Sequence, residues 1–110
     1  MERRPQLDKV IHERTRLSIL AYLASSEQVQ IDFTKLKGDL GLSAGNLSVQ
    51  LRNLEEAGYV TIAKRFVANK PNTRISLTAG GSKALGGYLE EMETLIRRLK
   101  GGNNGSDPAA

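Results

Sequence analysis

Apolar residues recur at three- and four-residue spacing from Leu7 to Ala24, through Val10, Ile11, Leu17, Leu20 and Ala21. That spacing predicts a helix with one apolar face over residues 7–24. The polar run His12-Glu13-Arg14-Thr15-Arg16 splits the apolar positions into two groups, so the segment reads as one helix or as two. Ser25-Ser26-Glu27-Gln28 reads as a loop, and Val29-Gln30-Ile31 as a very short strand with Ile31 inward. Asp32 is a good N-cap for a second helix, Phe33 to Leu40, with Phe33, Leu36 and Leu40 on one face and Gly41 to end it. Leu42 follows as a buried turn residue. Ser43 then caps a third helix, Ala44 to Ala57, which Gly58 stops.

In that third helix Leu47, Leu51 and Leu54 stand at i, i+4 and i+7 and form one inward stripe. At about 100° per residue the opposite arc carries Gly45, Val49, Arg52 and Glu56, flanked by Asn46, Ser48 and Asn53. Two alternating stretches follow. Val60, Ile62 and Phe66 share one face of the first, and Ile75 and Leu77 point inward in the second. Asn69-Lys70-Pro71-Asn72 between them has turn chemistry, which predicts a two-stranded hairpin with a basic tip. Thr78 caps a last helix running to about Lys100, with an apolar stripe of Leu85, Tyr88, Leu89, Met92, Leu95, Ile96 and Leu99. Residues 1–100 thus read as one domain. Residues 101–110 are too polar and glycine-rich to fold and read as a disordered tail. No internal repeat is present.

Composition narrows the chemistry. The chain has 110 residues, 39% hydrophobic and 25% charged, the balance of a single globular domain. It has no cysteine, which excludes disulfides, thiolate metal sites and a thiol nucleophile, and its single histidine argues against a histidine-built metal or catalytic centre. Glu90, Glu91 and Glu93 fan apart on a helix and form a solvated face, not a paired acid–base site. No phosphate loop, metal spacing or cofactor motif occurs, so the sequence predicts no enzyme and no cofactor. The absence of a long apolar run or a signal-peptide pattern predicts a soluble, cytoplasmic protein with no membrane partner.

Charge adds a direction. Residues 25–58 are net acidic, whereas residues 59–78 hold Lys64, Arg65, Lys70 and Arg74 and no acid. Residues 3–16 add five bases against two acids. A basic stripe on a balanced chain is the footprint of a polyanion partner or simply a solvated face, and charge alone leaves both open. The order of elements decides more. Helix, helix, tight turn, helix and basic hairpin make a winged helix-turn-helix, mostly α with a small β-hairpin and a long C-terminal helix suited to dimerisation. The third helix fits a DNA major groove, and the hairpin beside it reaches the adjacent backbone.

The residues carry a resemblance as well. Leu7-Asp8-Lys9-Val10-Ile11-His12, Arg16-Leu17-Ser18-Ile19-Leu20, Gly41-Leu42-Ser43, Gly45-Asn46-Leu47-Ser48, Leu51-Arg52, Leu54 to Val60 and Thr73 to Thr78 closely resemble the small MarR/ArsR-like winged-helix transcriptional regulators. The resemblance covers roughly residues 7–99. It implies a homodimer held by the N- and C-terminal helices, with Leu7, Val10, Ile11, Leu85, Tyr88, Leu89, Met92, Ile96 and Leu99 at the interface. It also implies double-stranded DNA as partner, contacted by Ser43, Gly45, Asn46, Ser48, Val49 and Arg52 on the third helix. Lys64, Arg65, Lys70, Asn72 and Arg74 would contact DNA from the wing, with Lys70 and Arg74 ahead of Lys64 and Arg65. A dimer of this kind acts most simply as a repressor on an inverted repeat.

The sequence departs from the family at Val49 and Gln50, where related sequences often carry a basic or histidine pair. It also lacks the cysteines of the metal-sensing branch. The pairs Gly80-Gly81 and Gly86-Gly87 lie in the last helix; a loose first turn suits the former and close helix–helix approach at the dimer seam the latter. A small-molecule effector has room only between the DNA-binding lobe and the dimer helices, near Tyr22, Tyr88 and Met92, and no motif supports one. Winged helices also serve as protein-interaction or RNA-binding modules. The purely basic wing favours nucleic acid, and Val49 on the outward arc counts for the alternative.

Overall fold

The polar run at residues 12–16 is a boundary in the computed structural model, which describes residues 7–104. Leu7 to Glu13 form a turn and not a helix. Asp8 organises it: one carboxylate oxygen accepts the backbone N–H groups of Val10 (2.9 Å) and Ile11 (3.2 Å), the other accepts the Tyr59 hydroxyl, and the Asp8 carbonyl accepts the His12 N–H. Glu13 then caps the first helix, α1 (Arg14–Ser25), by accepting the Arg16 N–H. The remaining elements are β1 (Ile31–Asp32), α2 (Phe33–Leu40), α3 (Ala44–Glu56), β2 (Val60–Val67), β3 (Lys70–Leu77) and α4 (Ala79–Asn104).

The predicted caps hold. Asp32 accepts the N–H groups of Thr34 and Lys35, and Ser43 that of Asn46. Gly41 ends α2 in the left-handed conformation (φ 67°), and Leu42, half-buried rather than fully buried, donates back to the Lys37 carbonyl. At the end of α3 Gly58 (φ 83°) and Tyr59 donate to the carbonyls of Glu55 and Leu54, the Schellman closure that turns the chain straight into β2. On the outside of α2, Asp39 accepts from Tyr22 and pairs with Lys35 at 3.1 Å. Those two contacts, Tyr22 first, hold the Asp39 carboxyl below the usual carboxylate range.

The hairpin differs from its prediction. Its turn is Ala68–Asn69, both residues left-handed (φ 52° and 65°), so β2 and β3 pair over their full length from Val60↔Leu77 to Val67↔Lys70. Two positive-φ residues are the signature of a type I′ turn, whose twist matches the strands. Lys70, Pro71 and Asn72 are therefore strand residues. The third strand, β1, pairs with β3 only at Ile31↔Ile75 and Asp32↔Arg74, giving the order β1-β3-β2. Phe66 keeps the parity of Val60 and Ile62 but is 74% exposed, because the hairpin projects beyond the body at that point.

The core gathers Ile19, Leu20, Leu23, Ile31, Leu36, Leu47, Leu51, Leu54, Val60 and Ile75. Three residues expected at a dimer seam belong to it as well: Ile11, Leu85 and Tyr88 are 0%, 6% and 4% exposed within one chain. They close the core under α4 and the N-terminal turn. Leu7, Val10 and Met92 pack on its edge, while Leu89, Ile96 and Leu99 stay exposed.

The tight glycine contact within the chain falls at the first pair of α4. Gly81 makes the close approach, since a Cβ there would lie 2.2 Å from the Tyr59 carbonyl oxygen, whereas Cβ atoms at Gly86 and Gly87 would meet nothing within 4 Å. The first turn of α4 is likewise not loose: the Thr78 hydroxyl accepts the Gly81 N–H and donates to the Gly58 carbonyl. At its other end α4 continues through Asn104, past the expected stop near Lys100; residues 105–110 of the expected tail lie outside the described residues. No helix among the described residues is long and apolar enough to cross a membrane.

Candidate nucleic-acid interface

α2, the three-residue turn and α3 form a helix-turn-helix in which Leu47, Leu51 and Leu54 anchor α3 to the core. That anchoring forces the other arc outward. Ser43, Gly45, Asn46, Ser48, Val49 and Arg52 are all exposed, as the helical arithmetic predicts. Arg52 has no carboxylate within ion-pair distance, since the single pair among the described residues is Lys35–Asp39. Its guanidinium is open to a partner.

Between α3 and the wing runs a cleft of about 530 Å³, lined by Phe33, Ser48, Leu51, Arg52, Glu55, Ile62, Lys64 and Thr73. The alternation of β2 explains its far wall. Ile62 and Lys64 lie on the strand face that looks at α3, opposite Ile75 and Thr73 of β3. Lys64 and Arg52 therefore line one cleft, with Glu55 as its acidic member. Arg65 and Lys70 lie on the opposite face, and both are exposed.

The wing cations are not equally free. Arg74 is half-buried near the base of the hairpin, and its Nε donates to Asn72 Oδ1 at 3.0 Å. Asn72 Nδ2 in turn donates to Asp32 Oδ1 at 2.7 Å, while the other oxygen of Asp32 caps α2. Asn72 and Arg74 thus tie the wing to the start of the helix-turn-helix. Lys64, Arg65 and Lys70 are the cations the hairpin leaves in solvent. With the tip at Ala68–Asn69 and not at residues 69–72, Arg74 lies well down the strand.

Two residues make contacts that the sequence reading did not foresee. Arg16 of α1 donates through Nε to the Val10 carbonyl (2.6 Å) and through a terminal nitrogen to Gln50 Oε1 (2.8 Å), and Gln50 Nε2 donates to Asn46 Oδ1 (3.2 Å). An arginine in a polar run carries no signal of such a contact, because Gln50 lies 34 residues away.

The exposed polar arc of one helix beside a wing of free cations is matched by sequence. Residues 15–96 match the winged helix DNA-binding domain. The chain belongs to that family. The winged-helix chain is 32% identical over 92 residues to an uncharacterized protein of Methanocaldococcus jannaschii, a match covering 84% of this chain and 98% of the relative. The transcriptional regulator homologue of Pyrococcus horikoshii OT3 is similar in structure, with a TM-score of 0.74 and 27% identity over 82% of this chain and 87% of that one. The winged helix also has the fold of a mutant MarR from E. coli complexed with operator DNA (TM-score 0.63, 19% identity, 84% of this chain and 64% of that one).

Proposed function

We propose that the protein is a transcriptional repressor that binds an inverted repeat as a homodimer, α3 entering the major groove and the wing following the backbone. The exposure of Asn46, Ser48 and Arg52 on α3, with Lys64 and the wing beside them, carries this reading. Base edges are read by short polar side chains near the start of a recognition helix, whereas cations on a hairpin meet phosphates. A MarR mutant of the same fold is complexed with operator DNA, which supports duplex DNA as the partner. The apolar residues that α4 leaves exposed supply the dimer seam. A two-fold dimer then reads half-sites about 10 bp apart.

Selection of bound fragments from random duplex DNA tests it, and an inverted repeat is the expected product. On that repeat, Lys64→Ala, Arg65→Ala and Lys70→Ala each lower affinity on specific and random duplex alike, and reduce the salt slope by about one per lost contact. Asn46→Ala costs about 1–3 kcal/mol on the repeat and little on random DNA. If no repeat is enriched, the protein-interaction reading takes over, with Val49 on α3 and Phe66 and Val67 near the wing tip as its apolar surface.

A further inference from the structure

The wing ends in apolar side chains for which the fold itself has no use. Phe66 and Val67 are exposed just before the Ala68–Asn69 turn, and Pro71, across from Phe66, is exposed as well. Phe66 shares a strand face with Ile62 and Lys64, which line the cleft against Ser48 and Arg52 of α3. Val67↔Lys70 closes the two-residue hairpin as the bonded pair, so Phe66↔Pro71 is of the non-bonded kind, with Cα atoms only about 4.5 Å apart. That register sets a rigid pyrrolidine ring beside the phenyl ring. Cations surround the two. Lys64 stands one pair back on the same face, and Arg65 and Lys70 lie on the other, all exposed. Residues 59–78 contain no acid.

An apolar tip ringed by cations fits one surface of a duplex. Phosphates answer the cations, but beside a phosphate Phe66 gains nothing. The minor groove offers both kinds of surface: anionic rims, and between them base steps into which an apolar side chain can be driven. The reach is right. Phe66 lies four residues beyond Ile62, roughly 13 Å at about 3.3 Å per residue. From the major groove that α3 occupies, the next minor groove is half a helical turn away, about 17 Å. The phenyl ring spans the remainder. We propose that Phe66, beside Pro71, is a minor-groove wedge that enters a base step about 5 bp from the bases α3 reads, unstacks it and bends the duplex. A pyrimidine–purine step, TA or CA/TG, parts most easily, so the wedge selects such a step without a hydrogen bond to any base. This goes beyond backbone contact by the wing and rests on the DNA-reading role given to α3 above.

Selection from random duplex DNA, followed by a bend measurement on the selected repeat, tests it with wild type, Asn46→Ala, Phe66→Ala and Lys70→Ala. The bend is read as energy transfer between dyes at the two duplex ends. Asn46→Ala marks the bases α3 reads, as those whose preference it erases. The wild type is expected to enrich a pyrimidine–purine step about 5 bp from them and to bend the repeat by at least about 20°. Phe66→Ala still enriches the repeat, but the step preference falls about five- to tenfold and the bend disappears. Its salt slope is unchanged, because no phosphate contact is lost. Lys70→Ala does the opposite, keeping the bend while its salt slope drops by about one. Phe66 is exposed, so an unchanged melting midpoint separates these losses from unfolding. A Phe66→Ala variant that keeps the bend or the step preference overturns the wedge. A wild type that enriches a repeat and leaves it straight removes the wedge alone. A wild type that enriches no repeat removes the DNA-reading role of α3, and the wedge with it.

Discussion

Tyr59 sits at the seam between α3 and β2 and donates its hydroxyl to Asp8, which at the same time shapes the N-terminal turn. The carboxylate accepts the phenol proton and would repel a phenolate, and this, with partial burial, pushes the Tyr59 hydroxyl up to about 12. Below about pH 10 folded and unfolded chains both keep that proton, and the contact contributes in full. Between about pH 10 and 12 the unfolded tyrosine ionises first, so stability falls as pH rises. Urea denaturation across that range should show a steeper loss for the wild type than for Tyr59→Phe. The variant starts about 1 kcal/mol less stable at neutral pH, and the gap closes toward pH 12. Residues of this kind were legible to different depths. The N-cap role of Asp32 is written in its neighbours Phe33 to Leu40, but its hold on Asn72 depends on a hairpin 40 positions away. Arg16 and Gln50 are the same case: each looks like an ordinary surface residue until α1 packs across α3.

Elements with a strong period were legible almost to the residue. α2 and α3 begin at the predicted caps because an apolar stripe and a capping side chain agree at each start. The wing was placed wrongly at its tip because Ala68 bears no turn chemistry, while the lure of Asn69-Lys70-Pro71-Asn72 is strong. The first glycine pair of α4 misled for a related reason. Sequence shows that a glycine weakens a helix, and only packing shows which one is needed. Gly81 is needed, because a methyl group there collides with the Tyr59 carbonyl and approaches Leu77 to 2.9 Å. Gly81→Ala should destabilise the fold by about 2 kcal/mol, outweighing the gain in helix propensity. Gly86→Ala, in open space, should stabilise by about 0.5–1 kcal/mol. Opposite shifts of the melting midpoint are the check. Weakened self-association in Gly86→Ala would instead place that glycine at a subunit contact.

The whole molecule is a small lobe with a long rod. At 1.5 Å per residue the 26-residue α4 extends for roughly 39 Å, and beyond Tyr88 it leaves Leu89, Ile96 and Leu99 without cover in one chain. In the homodimer proposed above, a second copy covers this surface. The triple variant Leu89→Gln, Ile96→Gln, Leu99→Gln should sediment as a single chain while the wild type sediments as two. The fold of the lobe should survive, because Leu85 and Tyr88 already seal it from within. The apolar stripe of α4 was only half legible. The stripe was read correctly as apolar, but its first turns serve the chain's own core, a division that periodicity cannot show.

The shortness of β1 has a consequence of another sort. With β1 pairing only at Ile75 and Arg74, the outer edge of β3 is bare from Thr73 to the tip, next to the exposed Phe66 and Val67. A bare edge beside apolar side chains is a template on which another strand can polymerise. Pro71 stands in the middle of it. In a two-residue hairpin Val67↔Lys70 is the bonded pair, so the next pair, Phe66↔Pro71, turns its backbone N–H positions outward, and at Pro71 there is no N–H to offer. Lys70 adds charge beside the gap. Pro71→Thr should leave the unfolding free energy within about 1 kcal/mol of the wild type and yet make concentrated solutions scatter light and bind amyloid dyes on standing. What looked in the sequence like the residue that bends the wing is, in the fold, the one that keeps the wing from growing.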